Sequence, residues 1–151
     1  MILGVNTTKD AVFVAETFND RDEFEVRKIT RLRFVLSDAE AIAELLKNLK
    51  TILACFKNGE KTVVAILCCS SGQYGSSVEA VKAEAVAQLA AHDVGFEVIS
   101  IKPQSLKKAL ECASGQKWQA RAKELFNSDG LHKYWTQGAD GAAAAAFRAA
   151  P

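Results

Sequence analysis

Lys61-Thr62-Val63-Val64-Ala65-Ile66-Leu67-Cys68 is the stretch from which the fold can be read. From Val63 onward it is an almost unbroken apolar run, which suits a central strand covered on both faces. Its flanks carry the helical period instead. Upstream, Ile42, Leu45, Leu46, Leu49, Ile52 and Leu53 mark one helix face to about Phe56, behind the capping box Ser37-Asp38-Ala39-Glu40. Asn58-Gly59 ends that helix. Downstream, Ser76-Ser77-Val78-Glu79 is a second capping box, and Val78, Val81, Ala85, Val86 and Leu89 continue a buried helix to about His92. The run from Gly95 to Ile101 is a further strand, stopped by Pro103.

The amino-terminal third adds three strands. Ile2-Leu3-Gly4-Val5 and Ala11-Val12-Phe13-Val14-Ala15 are close enough to form a hairpin. Phe24, Val26, Thr30, Leu32 and Phe34 fall on even positions with charges on most odd ones, a period of two that predicts a strand with one wet face. Beyond Pro103, helices are expected near 104–112, 116–127 and 138–149. The last, with Ala142 to Ala146 in a row, is compact enough to lie flat on a sheet. The order predicts one α/β domain over residues 1–151. Its mixed five-stranded sheet has three antiparallel strands, then two parallel ones, flanked by helices.

Composition narrows the classes. The 151 residues are 49% apolar, enough for a core, and 25% charged, which argues against a disordered chain. A formal net charge of +1 excludes a globally basic nucleic-acid coat and an acidic tail protein. No apolar run approaches the ~20 residues of a membrane span. Four cysteines, with no leader pattern at the start, are expected to be reduced thiols of a cytoplasmic protein. Charge is unevenly spread: residues 102–135 carry seven basic groups against three acidic ones. That segment is either a phosphate-facing patch or a set of solvated helix faces.

This order of elements resembles the ribonuclease H-like fold. Three local matches resemble its RuvC-like branch, the junction-resolving endonucleases and their relatives. They are Leu3-Gly4-Val5-Asn6; Val64-Ala65-Ile66-Leu67 with the helix holding Lys82-Ala83-Glu84-Ala85; and Ile101-Lys102-Pro103, Leu106-Lys107-Lys108 and Ser114-Gly115-Gln116-Lys117, closing on Gly138-Ala139-Asp140-Gly141-Ala142-Ala143. The chain also resembles a small bacterial family of single RuvC-like domains. The resemblance implies two divalent ions held by four acidic groups, from the first strand, the end of the central strand and two positions opening the last helix. The matching residues are Asn6, Leu67, Asp140 and Ala143, and only Asp140 is a carboxylate. Neither Asp10, Glu16 nor Glu84 is an evident substitute; Glu84 is expected to meet solvent or a basic neighbour.

The expected function is therefore that of a degenerate RuvC-like domain that binds a structured DNA or RNA, or a protein partner, without cleavage and with no cofactor. A homodimer through the helices at 37–57 and 76–92 fits the same pattern. The alternative is an Mg- or Mn-dependent endonuclease with a site rearranged around Asp140, Asn6 and Asp10. The resemblance places Lys107 and Lys117 where the relatives carry basic residues near their substrate. Arg121 joins them, Tyr74 in the Gly72-Gln73-Tyr74-Gly75 loop is poised to reach a base or partner, and Trp118, His132, Tyr134 and Trp135 either stack bases or pack the late helices. Cys68-Cys69 are expected as packed thiols on opposite sides of a strand, unable to chelate one ion together. Thr7-Thr8 also resembles a phosphate loop of actin-like ATPases, but one domain lacks the second half that encloses a nucleotide.

Overall fold

The computed structural model of the chain describes residues 1–20, 22–69 and 75–151. Strands β1 (Ile2–Thr7), β2 (Ala11–Asp20) and β3 (Glu23–Arg33) are followed by helix α1 (Ala39–Ala54), β4 (Val63–Leu67), α2 (Val78–Val94) and β5 (Glu97–Ile101). A short 3₁₀ turn leads into α3 (Leu106–Ala109), then α4 (Trp118–Phe126), a second 3₁₀ turn at Trp135–Gln137, and α5 (Ala139–Ala149). The sheet order is β3-β2-β1-β4-β5. β2 pairs antiparallel with both β1 and β3, while β4 runs parallel to β1 and to β5. Three antiparallel strands, then two parallel, is the arrangement expected from the order of apolar runs.

Strand alternation splits the core into two layers. Leu3, Val5, Val12, Val14, Val64 and Ile66 face α1 and α2. Ile2, Ala11, Phe13, Ala15, Ala65 and Leu67 face the layer of α3, α4 and α5. The alanine run does lie flat. Ala142 to Ala146 are all fully buried, and a Cβ placed on Gly4 would come within 1.8 Å of the Ala142 carbonyl oxygen. Only glycine on β1 and small residues on α5 allow so close an approach of helix backbone to sheet. At the far end of α5, the rings of Phe24, Phe126 and Phe147 close the layer with centroids 5.0 to 5.2 Å apart.

Two local expectations are corrected. Both helix caps lie one residue later than the capping boxes place them. Asp38 accepts from the Ala41 amide at 2.8 Å and Ser77 from the Ala80 amide at 3.1 Å, because each of these side chains sits three residues before a free amide. The third strand does not keep one wet face. Its pairing with β2 shifts register between Glu16 and Thr17: Lys28 pairs with Glu16, Val26 with Thr17, and Arg27 is the extra residue. A single inserted residue turns every later side chain over. Phe24, Val26 and Ile29 therefore face α5, as do Arg31 and Arg33 beyond them, while Leu32 and Phe34 face α1.

Candidate functional site at the carboxyl ends of the central strands

Parallel β1 and β4 end side by side, and α5 begins over their ends. This brings Asn6 and Leu67 against the opening turn of α5, the turn that carries Asp140. The Asn6 side-chain Nδ2 donates to the Gly138 carbonyl at 2.9 Å. A Cβ on Gly141 would lie 2.4 Å from that Nδ2 and 3.0 Å from Leu67 Cδ2, so Asn6, Leu67 and the opening turn of α5 are in mutual contact. Gly138 has φ +149°, and a Cβ there would sit 2.6 Å from the Phe13 ring; glycine is needed for the backbone to enter α5 at this point. Asp140 is half-buried, and its Oδ1 accepts from the Gly141 amide at 2.7 Å. Burial raises its pKa from the ordinary carboxylate value, and backbone amide contacts only partly oppose that. Ala143 is fully enclosed in the core.

These residues do not fit a pair of divalent ions. They supply one carboxylate disfavoured in its charged form, one neutral amide oxygen and two hydrocarbon side chains, whereas such ions require several hard, anionic oxygens. Among the described residues, no three His, Cys, Asp or Glu side chains gather where they could hold a metal. Asp10 is exposed at the β1–β2 turn, where its carboxylate accepts from Thr8 Oγ1 at 3.1 Å. Glu16 is paired in register with Leu3, about 10 Å down β1 from Asn6.

The expectations for Glu84 and the cysteine pair are corrected. Glu84 turns toward the end of β4 and accepts from the Cys69 amide at 3.3 Å, a partner that sequence spacing gives no means of seeing. β4 ends at Leu67, so alternation no longer governs the next two residues. Cys68 reaches Glu84 and Ser100, and the Cys69 sulfur lies 3.6 Å from Thr7 Oγ1, which is itself bonded to the Ala80 carbonyl of α2. Both thiols thus lie toward α2. Burial, and then the Glu84 charge, raise the Cys68 pKa and so favour its protonated form. The threonines are spent internally as well: Thr7 is buried on Ala80, and Thr8 bonds Asp10 and the Ala11 carbonyl.

In the basic segment, Lys107 on α3 and Lys117 at the start of α4 are exposed, with no ion-pair partner among the described residues. Arg121 is committed elsewhere. Its Nε donates to the Leu110 carbonyl at 3.0 Å and its Nη1 pairs with Glu124 at 3.3 Å, tying α4 to the end of α3. Trp135 is buried beside α5 and Trp118 half-buried against the same core, so both pack rather than present a stacking face. His132 lies on Trp135 with centroids 6.2 Å apart, its backbone held by Asn127. Tyr134 behaves differently. It has φ +63°, a left-handed conformation costing a bulky residue on the order of 1–2 kcal/mol, and its ring lies 4.1 Å beneath the Arg31 guanidinium. Arg31 also donates to Gln137 at 3.1 Å. Tyr74 lies outside the described residues.

No family model and no curated protein sequence matches the chain. Solved structures do. RuvC of Thermus thermophilus aligns over 97% of this chain and 91% of its own length, with TM-score 0.70 and 13% identity. The same protein in complex with a Holliday junction substrate aligns over 97% and 90%, with TM-score 0.69 and 12% identity. The chain has the RuvC-like form of the ribonuclease H-like fold. A Fowlpox virus resolvase, solved with Holliday junction DNA, aligns over 97% of this chain and 95% of its own, at TM-score 0.52 and 11% identity. On this RuvC-like frame the strand-end cluster of Asn6, Leu67 and Asp140 is carried by β1, β4 and α5, the elements that the resemblance assigns to the acidic site. Among the described residues, no helix is long and apolar enough to cross a membrane.

Proposed function

We propose that this chain binds structured nucleic acid, a branched DNA before any other, and does not cut it. One observation supports the reading: Asn6 and Leu67 at the ends of β1 and β4 meet the opening turn of α5, and the one carboxylate in that turn, Asp140, is desolvated. Such a cluster packs without cations, because no carboxylates repel one another across it. Recognition then falls to exposed cations, of which Lys107 and Lys117 are free of ion pairs among the described residues. Each cation set against a phosphate releases condensed counterions, so binding weakens as salt rises.

The test is fluorescence anisotropy with labelled single-stranded, duplex, hybrid and four-way-junction probes at two salt concentrations. The expected result is saturable, salt-sensitive binding that favours the junction and weakens in Lys107→Glu with Lys117→Glu. Flat traces on every probe would remove the nucleic-acid reading and leave a protein partner as the occupant.

A further inference from the structure

We infer that Lys9, Arg31 and Arg33 form a track for a phosphodiester backbone, running from the β1–β2 turn across the exposed end of β3 toward the strand-end cluster. The inference rests on the nucleic-acid reading above and names a second surface for it, distant in sequence from Lys107 and Lys117. The register of the sheet carries the argument. Asn6 is paired with Phe13, and Phe13 with Arg31, so all three lie in one row on the face of α5. Two strand spacings separate Asn6 from Arg31, about 10 Å. Arg33, paired with Ala11, lies two residues further along the same face.

The surface is built rather than incidental. A cavity of about 370 Å³ is lined by Thr8, Lys9, Asp10, Arg31, Arg33 and Gln137, among others. Asp10 is its one acidic group, and that carboxylate accepts from Thr8. The three cations carry no ion pair among the described residues, although acidic residues are frequent elsewhere in the first sixty. Arg31 is held in place by the ring of Tyr134 on one side and by Gln137 at one nitrogen. Its remaining N–H donors are left for a phosphate, which a guanidinium recognises through paired donors. The strained backbone of Tyr134 marks the same spot. The Arg27 bulge is the device that directs Arg31 and Arg33 to this face; without it they would lie on the side of α1.

The test uses Lys9→Glu with Arg33→Glu, since both residues are exposed and neither side chain is hydrogen-bonded or ion-paired to another element among the described residues. An unchanged melting temperature verifies that the variant is folded. Anisotropy with the four-way-junction probe is expected to show affinity reduced at least about tenfold and a salt dependence shallower by nearly two counterions. Lys47→Glu, on the outer face of α1, makes a like change of charge sign and is expected to bind as the parent does. A parent that binds and a double variant that binds equally well would overturn the track while leaving the nucleic-acid reading intact. A parent that binds no probe would overturn both.

Discussion

Asp140 shows at a single residue how the candidate site differs from one built for cations. Its pKa is raised by burial, so the folded state holds a proton more tightly than the unfolded chain. Stability from this group is complete below the unfolded carboxylate pKa and is lost as pH rises through the folded value. At neutral pH its charge therefore works against folding. Asp140→Asn retains an oxygen to accept from Gly141 and removes the buried charge. The variant is expected to melt at or above the parent temperature at pH 7, with the difference vanishing in acid. Melting curves across the pH range check this; a variant less stable than the parent at pH 7 would mean that the carboxylate is stabilised by something other than Gly141. Asn6 is engaged in a similar way, because its amide is already donated to Gly138.

Among the elements, α5 and β1 are joined by an approach that absence of side chain makes possible. Gly4 lies under the Ala142 carbonyl so tightly that a methyl group there must displace helix backbone. Gly4→Ala is expected to cost roughly 1–3 kcal/mol or more, the range for overpacking a core, read as a lowered midpoint in chemical denaturation. An unchanged midpoint would show that α5 can slide on the sheet. The same junction explains why site and fold are hard to separate here. Shifting α5 to admit a larger residue would also move Gly138, Asp140 and Gly141 relative to Asn6. In β3, one inserted residue decides which charges share the face of the sheet with Asn6, and the effect is out of proportion to its size.

Across the whole molecule, the sequence was most legible where apolar runs are long and uniform. Val63 to Cys68 announced a central strand, the alanine run announced a helix pressed on the sheet, and the order of elements led to the ribonuclease H-like arrangement. The meeting of Asn6 and Leu67 with the opening turn of α5 depends on topology more than on side-chain detail. What could not be read depends on single residues in three dimensions. The Arg27 bulge leaves the charge pattern of β3 looking like one regular strand, so the meeting of Arg31 and Arg33 with Lys9 was hidden within a segment of balanced charge. Glu84 and the cysteine pair meet because β4 stops at Leu67, and alternation carries no signal past a strand end. Arg121 counts as a basic residue in sequence but is paired with Glu124 in the fold.

The central claim, binding without cleavage, is tested most directly by following the anisotropy of a labelled four-way junction over time with excess protein in millimolar Mn²⁺. The account predicts a rapid rise to a plateau that then stays level. A rise that decays toward the value of short, released products, and that no longer decays in Asp140→Asn, would contradict it and establish a metal-dependent endonuclease with a rearranged site.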